Sequence, residues 1–202
     1  MITLEKMMSI SESDLKDASK DLSEEDVLQL VEWLNLKDDK IRYQSFLLVK
    51  NRSSFCDDVY PYWDVFQSKL RSDNSYQRSI GLMLIAENVK WDAENRMDGI
   101  IDEYLMLLND EKPITIRQCI QSLEKIVSAK PMLNDIIASR LVSFDIMAVK
   151  ETMRKSILLD ILNVLLIIRQ ELKRDEIESF ILNALSGEIL DKKSKKQIEA
   201  LL

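Results

Sequence analysis

The sequence predicts an all-α fold: an α-α superhelix of about five antiparallel helix pairs, stacked side by side. Three observations carry that expectation. Glycine and proline number only 3 each in 202 residues, whereas strands joined by tight turns need many more, because glycine supplies positive φ and proline presets a turn. Apolar residues recur three and four positions apart, the period of one helix face. A basic residue followed by an apolar run returns at Arg42, Arg78, Arg117, Arg154 and, more weakly, Lys196, at intervals of 36, 39, 37 and 42 residues. Periods of this length mark stacked supersecondary units, each burying its apolar face only against its neighbours.

Residues 1–22 are acidic and weakly periodic, with Glu12, Asp14, Asp17 and Asp21 against Lys16 and Lys20, and read as a solvated helix or a frayed lead-in. A single helical-repeat domain is expected over 23–202. Ser23 followed by Asp26 has the form of a capping box, and Val27, Leu30, Val31 and Leu34 then lie on one helix face. Asn35 to Asp39 breaks the pattern before a second helix with Ile41, Ser45, Leu48 and Val49 inward. The next pair starts at Asp57 or Asp58 as N-cap, with Pro61 in the first turn, where its missing N–H costs little. Val59, Trp63, Phe66 and Leu70 form its stripe, and its partner helix carries Ile80, Leu84, Ile85 and Val89. Gly81 costs about 1 kcal/mol of helix propensity, so close packing is its expected reason.

The third pair begins at Asp92, with Met97, Ile100, Ile101, Tyr104, Leu105 and Leu108, then, after Asp110 to Pro113, Ile116, Ile120, Leu123 and Val127. Pro131 opens a fourth pair, with Leu133, Ile136, Ile137 and Leu141, followed by a long helix through Ile168. The last carries Ile177, Phe180, Ile181 and Leu185 and stops at Ser186-Gly187, glycine being suited to a left-handed C′ position. Ile198, Leu201 and Leu202 close the chain behind a lysine cluster. Ile157 to Ile168 is apolar except for Asp160 and Asn163. It is too short for a bilayer, which takes roughly 20 residues, so it reads as the most enclosed helix of the stack.

The net charge of −7 and a pI near 4.9 oppose polyphosphate binding, whose affinity comes mainly from Lys and Arg. Histidine is absent, which removes Ser-His and Cys-His nucleophile pairs and the usual acid–base group near neutral pH. Three glycines build neither a P-loop nor a dinucleotide fingerprint. Adjacent acids such as Asp38-Asp39 and Asp57-Asp58 answer the positive end of a helix better than they hold a metal. Cys56 and Cys119, far apart and outside any CxxC, read as small, half-buried apolar residues of a reduced cytoplasmic protein. No catalytic residue, metal or cofactor is expected, and no membrane.

In its second helices the chain resembles HEAT repeats, antiparallel helix pairs stacked into a curved superhelix. Asp39-Lys40-Ile41-Arg42 leading to Ser45, Leu48 and Val49 carries the resemblance best, followed by Lys112-Pro113-Ile114-Thr115-Ile116-Arg117 leading to Ile120 and Leu123. Gln77 replaces the hydrophobic residue before Arg78, Met153-Arg154 fits with Glu151 as the acid, and Lys195-Lys196 keeps little of the pattern. The resemblance covers roughly residues 24 to 202, and an armadillo-type unit of three helices stays open beside it. It implies that the anchor arginines link adjacent units; from spacing alone Asp39 and Glu151, three residues upstream, would pair with Arg42 and Arg154.

Trp33 and Trp63 share helical faces with aliphatic residues and read as core, while Tyr60 and Tyr62 flank Pro61 and read as exposed. The resemblance implies that second helices line a concave side, where Tyr43, Lys50, Ser79, Gln118, Gln121, Lys125 and Lys155 would contact a protein or peptide partner. On that expectation, reversing Lys50 and Lys125 to glutamate weakens capture and leaves the melting temperature unchanged. The resulting reading is a non-catalytic interaction module or scaffold. The alternative is a HEAT-like nucleic-acid-binding or base-excision enzyme, which the acidic charge disfavours and which steep salt-dependent duplex binding would reveal.

Overall fold

Five of the α-helices begin where an N-cap side chain meets the amide groups that the first turn leaves free. Ser23 and Asp26 form the reciprocal capping box, Asp38 accepts from the Lys40 and Ile41 amides at 2.9 and 3.1 Å, and Asn74 accepts from Tyr76. The computed structural model, which describes residues 1–202, contains twelve α-helices, five short 3-10 turns and no strand. The helices are α1 (Leu4–Ser9), α2 (Leu15–Lys20), α3 (Glu24–Trp33), α4 (Asp39–Ser53), α5 (Trp63–Lys69) and α6 (Ser75–Asn88). They continue as α7 (Arg96–Met106), α8 (Pro113–Ala129), α9 (Asn134–Val142), α10 (Glu151–Glu171), α11 (Asp175–Ser186) and α12 (Lys192–Glu199). The chain is all-α.

The longest helices pack in sequence order, α4 against α6, α6 against α8 and α8 against α10. Shorter helices back them: α3 on α4, α5 on α6, and α9 and α11 on α10. The apolar stripes meet in one cluster of 51 buried residues that runs from Ile2 to Ile198. Gly81 lets α5 approach α6 closely, since a Cβ there would stand 2.7 Å from the Phe66 carbonyl oxygen. The long apolar helix α10 buries Ile157, Ile161, Leu162, Val164, Leu165 and Ile168 completely, each contributing about 1.5–3 kcal/mol. No helix is long and apolar enough to cross a membrane.

Polar bonds join segments 32 to 43 residues apart in sequence. Lys69 reaches Asn35 across 34 residues, Arg78 reaches Asp110 across 32, Lys130 reaches the Asp92 carbonyl across 38 and Arg117 reaches Asp160 across 43. Three anchor arginines hold carboxylates: Arg42 takes Asp39, while Arg78 and Arg117 take Asp110 and Asp160 at 2.6 Å each. Arg154 departs from the expected pairing with Glu151. Its guanidinium donates to the carbonyls of Val149 and Met147 at 3.0 and 2.9 Å, which fixes the turn before α10.

Several local expectations change. The acidic lead-in is neither frayed nor wholly solvated: α1 and α2 lie on α4, and Ile2, Met7 and Leu15 enter the core. Neither Asp57 nor Asp58 caps α5, because Asp58 is held by Arg52 at 2.7 Å and a 3-10 turn, Tyr60–Tyr62, leads into the helix. Gly187 ends α11 in an extended conformation, φ −69° and ψ 179°, not a left-handed one. The left-handed residue of the chain is Asn95, φ 57°. Leu201 and Leu202 remain exposed while Ile198 is fully buried. Trp63 is fully buried, but Trp33 only partly.

Candidate docking groove

The N-terminal halves of α4, α6 and α8 lie side by side and leave one apolar depression of about 590 Å³ between them. Its floor is Phe46, Ile80 and Met83, the first two 5% and 6% exposed and Met83 half-buried. Its walls are Tyr43, Tyr76 and Ile114, which are 61%, 69% and 53% exposed. Each comes from a different helix of the succession. Leaving three large apolar side chains in water around a shared concavity forgoes burial worth about 25 cal/mol per Å², and contiguous apolar surface of this kind marks interaction sites.

Charge surrounds the groove asymmetrically. Lys40, Arg42 and Lys112 line it against a single carboxylate, Asp39, and Asp39 is already bound to Arg42. The Arg42 guanidinium also lies 5.7 Å from the centre of the Tyr76 ring, a cation–π contact that fixes the wall. Lys112 makes an exposed pair with Glu111 at 3.4 Å, a contact of small net value that a stronger partner displaces. In a chain of net charge −7 this is a local excess of positive charge beside apolar surface.

Of the seven residues expected to meet a partner, Tyr43, Ser79 and Gln118 come together here. Ser79 is itself buried and offers little surface. Lys50 and Lys125 meet at a second place, flanking the buried Glu87 at 3.9 and 2.5 Å. Gln121 donates to Asp160 at 3.1 Å, a second donor to the carboxylate that accepts from Arg117. Lys155 lies apart, paired with Asp191 ahead of α12. The row of matching helical positions is therefore four separate environments.

The role of Glu87 revises the expected effect of charge reversal. Its side chain is 6% exposed, and its cations are Lys50 and Lys125. Turning both into glutamate leaves a buried carboxylate facing two more. The double variant Lys50→Glu/Lys125→Glu is expected to lose about 2–4 kcal/mol in urea denaturation, so it cannot serve as a stability-neutral probe of binding.

Phe46, Tyr76, Ile80, Met83 and Ile114 were not anticipated at the site. The usable signal is Tyr43, Tyr76 and Ile114 themselves: bulky residues in the first two turns of α4, α6 and α8, off the inner stripes. Tyr60 and Tyr62, expected to be exposed, are half-buried. The Tyr60 hydroxyl donates to Asp92 at 2.9 Å, and burial, then that carboxylate, pushes it up to about 12. Cys56 is half-buried and Cys119 buried, both free thiols, and burial pushes the Cys119 thiol up, away from reactivity.

No protein-family model and no curated protein matches the sequence. The chain is similar over its whole length to the crystal structure of an engineered protein, a Northeast Structural Genomics Consortium target, with 15% identity, a TM-score of 0.52 and 96% of that chain covered. A likeness at this identity concerns the fold alone.

Proposed function

We propose that the chain is a non-catalytic, HEAT-like helical-repeat module of the reducing cytoplasm that binds a protein partner. The bound element is an acidic segment carrying aromatic or aliphatic anchors, seated across α4, α6 and α8. The observation that carries this reading is the apolar groove walled by Tyr43, Tyr76 and Ile114 with Lys40, Arg42 and Lys112 beside it. Charge complementarity selects an acidic partner, and the uncovered apolar walls supply pockets for the anchors. Bonds recurring about one unit apart, together with the sequence-order packing of α4, α6, α8 and α10, support a repeat succession.

Selection of peptides from a displayed random library on the immobilised chain tests it. Enriched peptides should combine Phe, Trp, Leu or Ile with Asp or Glu. The variant Tyr76→Asp/Ile114→Asp should bind them at least tenfold more weakly, about 1.4 kcal/mol, with stability within about 0.5 kcal/mol of wild type because both side chains are exposed. Peptides that bind this variant as well as wild type would remove the groove from the account.

A further inference from the structure

Beside the groove, on the other side of Arg42, is a polar cup of about 360 Å³. The loop after α3, the loop between α5 and α6, and the start of α4 enclose it. Lys69 and Arg42 reach into it from α5 and α4, Lys37 stands at its mouth, and Ser68, Ser72 and Asn74 complete a hydroxyl and amide rim. No carboxylate lines it.

Lys69 is 5% exposed. Its ammonium donates to the Asn35 and Gln77 side-chain oxygens at 2.6 Å each, both neutral, and three donors are available to it. Gln77 is held in place by donating its own amide to the Leu34 carbonyl at 2.8 Å. A buried ammonium with only neutral acceptors, next to a guanidinium that is 8% exposed, is charge without a full counter-charge. Burial, and then the Arg42 charge, lower the Lys69 ammonium to about 8, which leaves it mostly protonated at neutral pH. The partly buried arginines are built differently: Arg42, Arg52, Arg78 and Arg117 each face a carboxylate.

We propose that this cup binds a phosphate dianion, free or as a monoester, with Lys69 and Arg42 supplying the charge and Lys37 closing the mouth. A phosphate carries about −1.5 to −2 at neutral pH and three or more strong acceptor oxygens, which suits two enclosed cations, a third at the rim and surrounding hydroxyls. Arg42 holds Asp39 through Nη2 and the Leu36 carbonyl through Nη1, so it adds charge to the cup while its structural partners stay in place.

The test uses the full chain labelled with nitrogen-15 and needs no peptide, so it stands or falls apart from the groove. Inorganic phosphate and, separately, O-phosphoserine are titrated at constant ionic strength against sodium chloride. Saturable shifts are expected at the amides of residues 35–37 and 72–77, with those of residues 175–186 unmoved. Lys69→Met should weaken binding about tenfold or more, the value of a charge-assisted hydrogen bond, and the exposed Lys37→Gln should weaken it by less. Response to both compounds assigns a monoester site, and response to inorganic phosphate alone assigns a free-ion site; either sustains the proposal. Absence of saturable shifts with both compounds, or an equal response to acetate, overturns it. So does a Lys69→Met or, should that variant not fold, a Lys37→Gln chain that titrates like wild type.

Discussion

Replacing Asp92 with alanine is expected to remove about 3–5 kcal/mol of folding stability in urea denaturation. Its side chain is inaccessible to water, and its carboxylate joins three parts of the chain. The Tyr60 hydroxyl donates to it at 2.9 Å, the Arg96 and Met97 amides at the start of α7 at 2.8 and 3.0 Å, and the Lys130 ammonium lies at 3.2 Å. Lys130 also donates to the Asp92 backbone carbonyl and to Asn95. Deleting the carboxylate therefore strands a buried cation, a phenol and two helix-start amides together. The double variant Asp92→Asn/Lys130→Met should lose less than the sum of its parts, because the second change removes the uncompensated charge.

The pH dependence has a defined sign. Burial opposes the Asp92 charge, but the hydrogen bonds from Met97, Arg96, Tyr60 and Lys130 outweigh it and hold the carboxyl below its usual range. A carboxylate depressed on folding contributes stability that is complete above its unfolded value, roughly 3.9, and is lost as pH falls through its folded value. The stability gap between wild type and Asp92→Asn should thus be flat near neutrality and close only in strong acid.

Trp63→Ala is expected to cost about 3–5 kcal/mol, the transfer term plus the cavity left behind. Trp63 heads the largest fully buried side chains. It meets the Tyr60 ring edge-on at 5.7 Å, and the Arg96 guanidinium lies 5.8 Å from its ring centre. Its indole N–H has no hydrogen-bond partner, so part of what the residue gains by burial is spent on a desolvated donor. Trp63→Phe removes that donor and keeps an aromatic ring, and should cost less than half as much as alanine by thermal or chemical denaturation. Equal losses for the two variants would mean that the indole's polar edge, not its volume, is what the core uses.

Inner faces were legible in the sequence because burial follows a local period: Val27, Leu30, Val31 and Leu34, or Ile116, Ile120, Leu123 and Val127, need only the 3.6-residue turn to be placed. Ser23 with Asp26 and the close approach at Gly81 were readable for the same local reason. Partner choice was not. Arg117 and Asp160 meet because α8 packs on α10, and no spacing rule reaches 43 residues. Arg154 has an acid at the right helical distance and uses backbone carbonyls instead, since its side chain turns back toward the preceding 3-10 turn. The lead-in misled through its charge: Met7 and Leu15 are too few to form a stripe, yet α4 offers them a surface.

At the groove, helical position identified Tyr43 and Gln118. It also selected Lys50, Lys125, Gln121 and Lys155, whose charges or amides are engaged by Glu87, Asp160 and Asp191. Equivalent positions on stacked helices share a direction but not an environment, because each neighbour brings different acids. Tyr76 and Ile114 carry a different signal, apolar bulk off the inner stripe, which a search for polar positions does not select.

Methyl-resolved NMR of the full chain, titrated with one library-selected acidic peptide, tests the docking account most directly. The account predicts saturable shifts at the methyl groups of Ile80, Met83 and Ile114, with the equally observable Met132 and Leu182, both exposed and distant in sequence, left in place. Shifts that gather at Met132 or Leu182 while Ile80, Met83 and Ile114 stay still would contradict it.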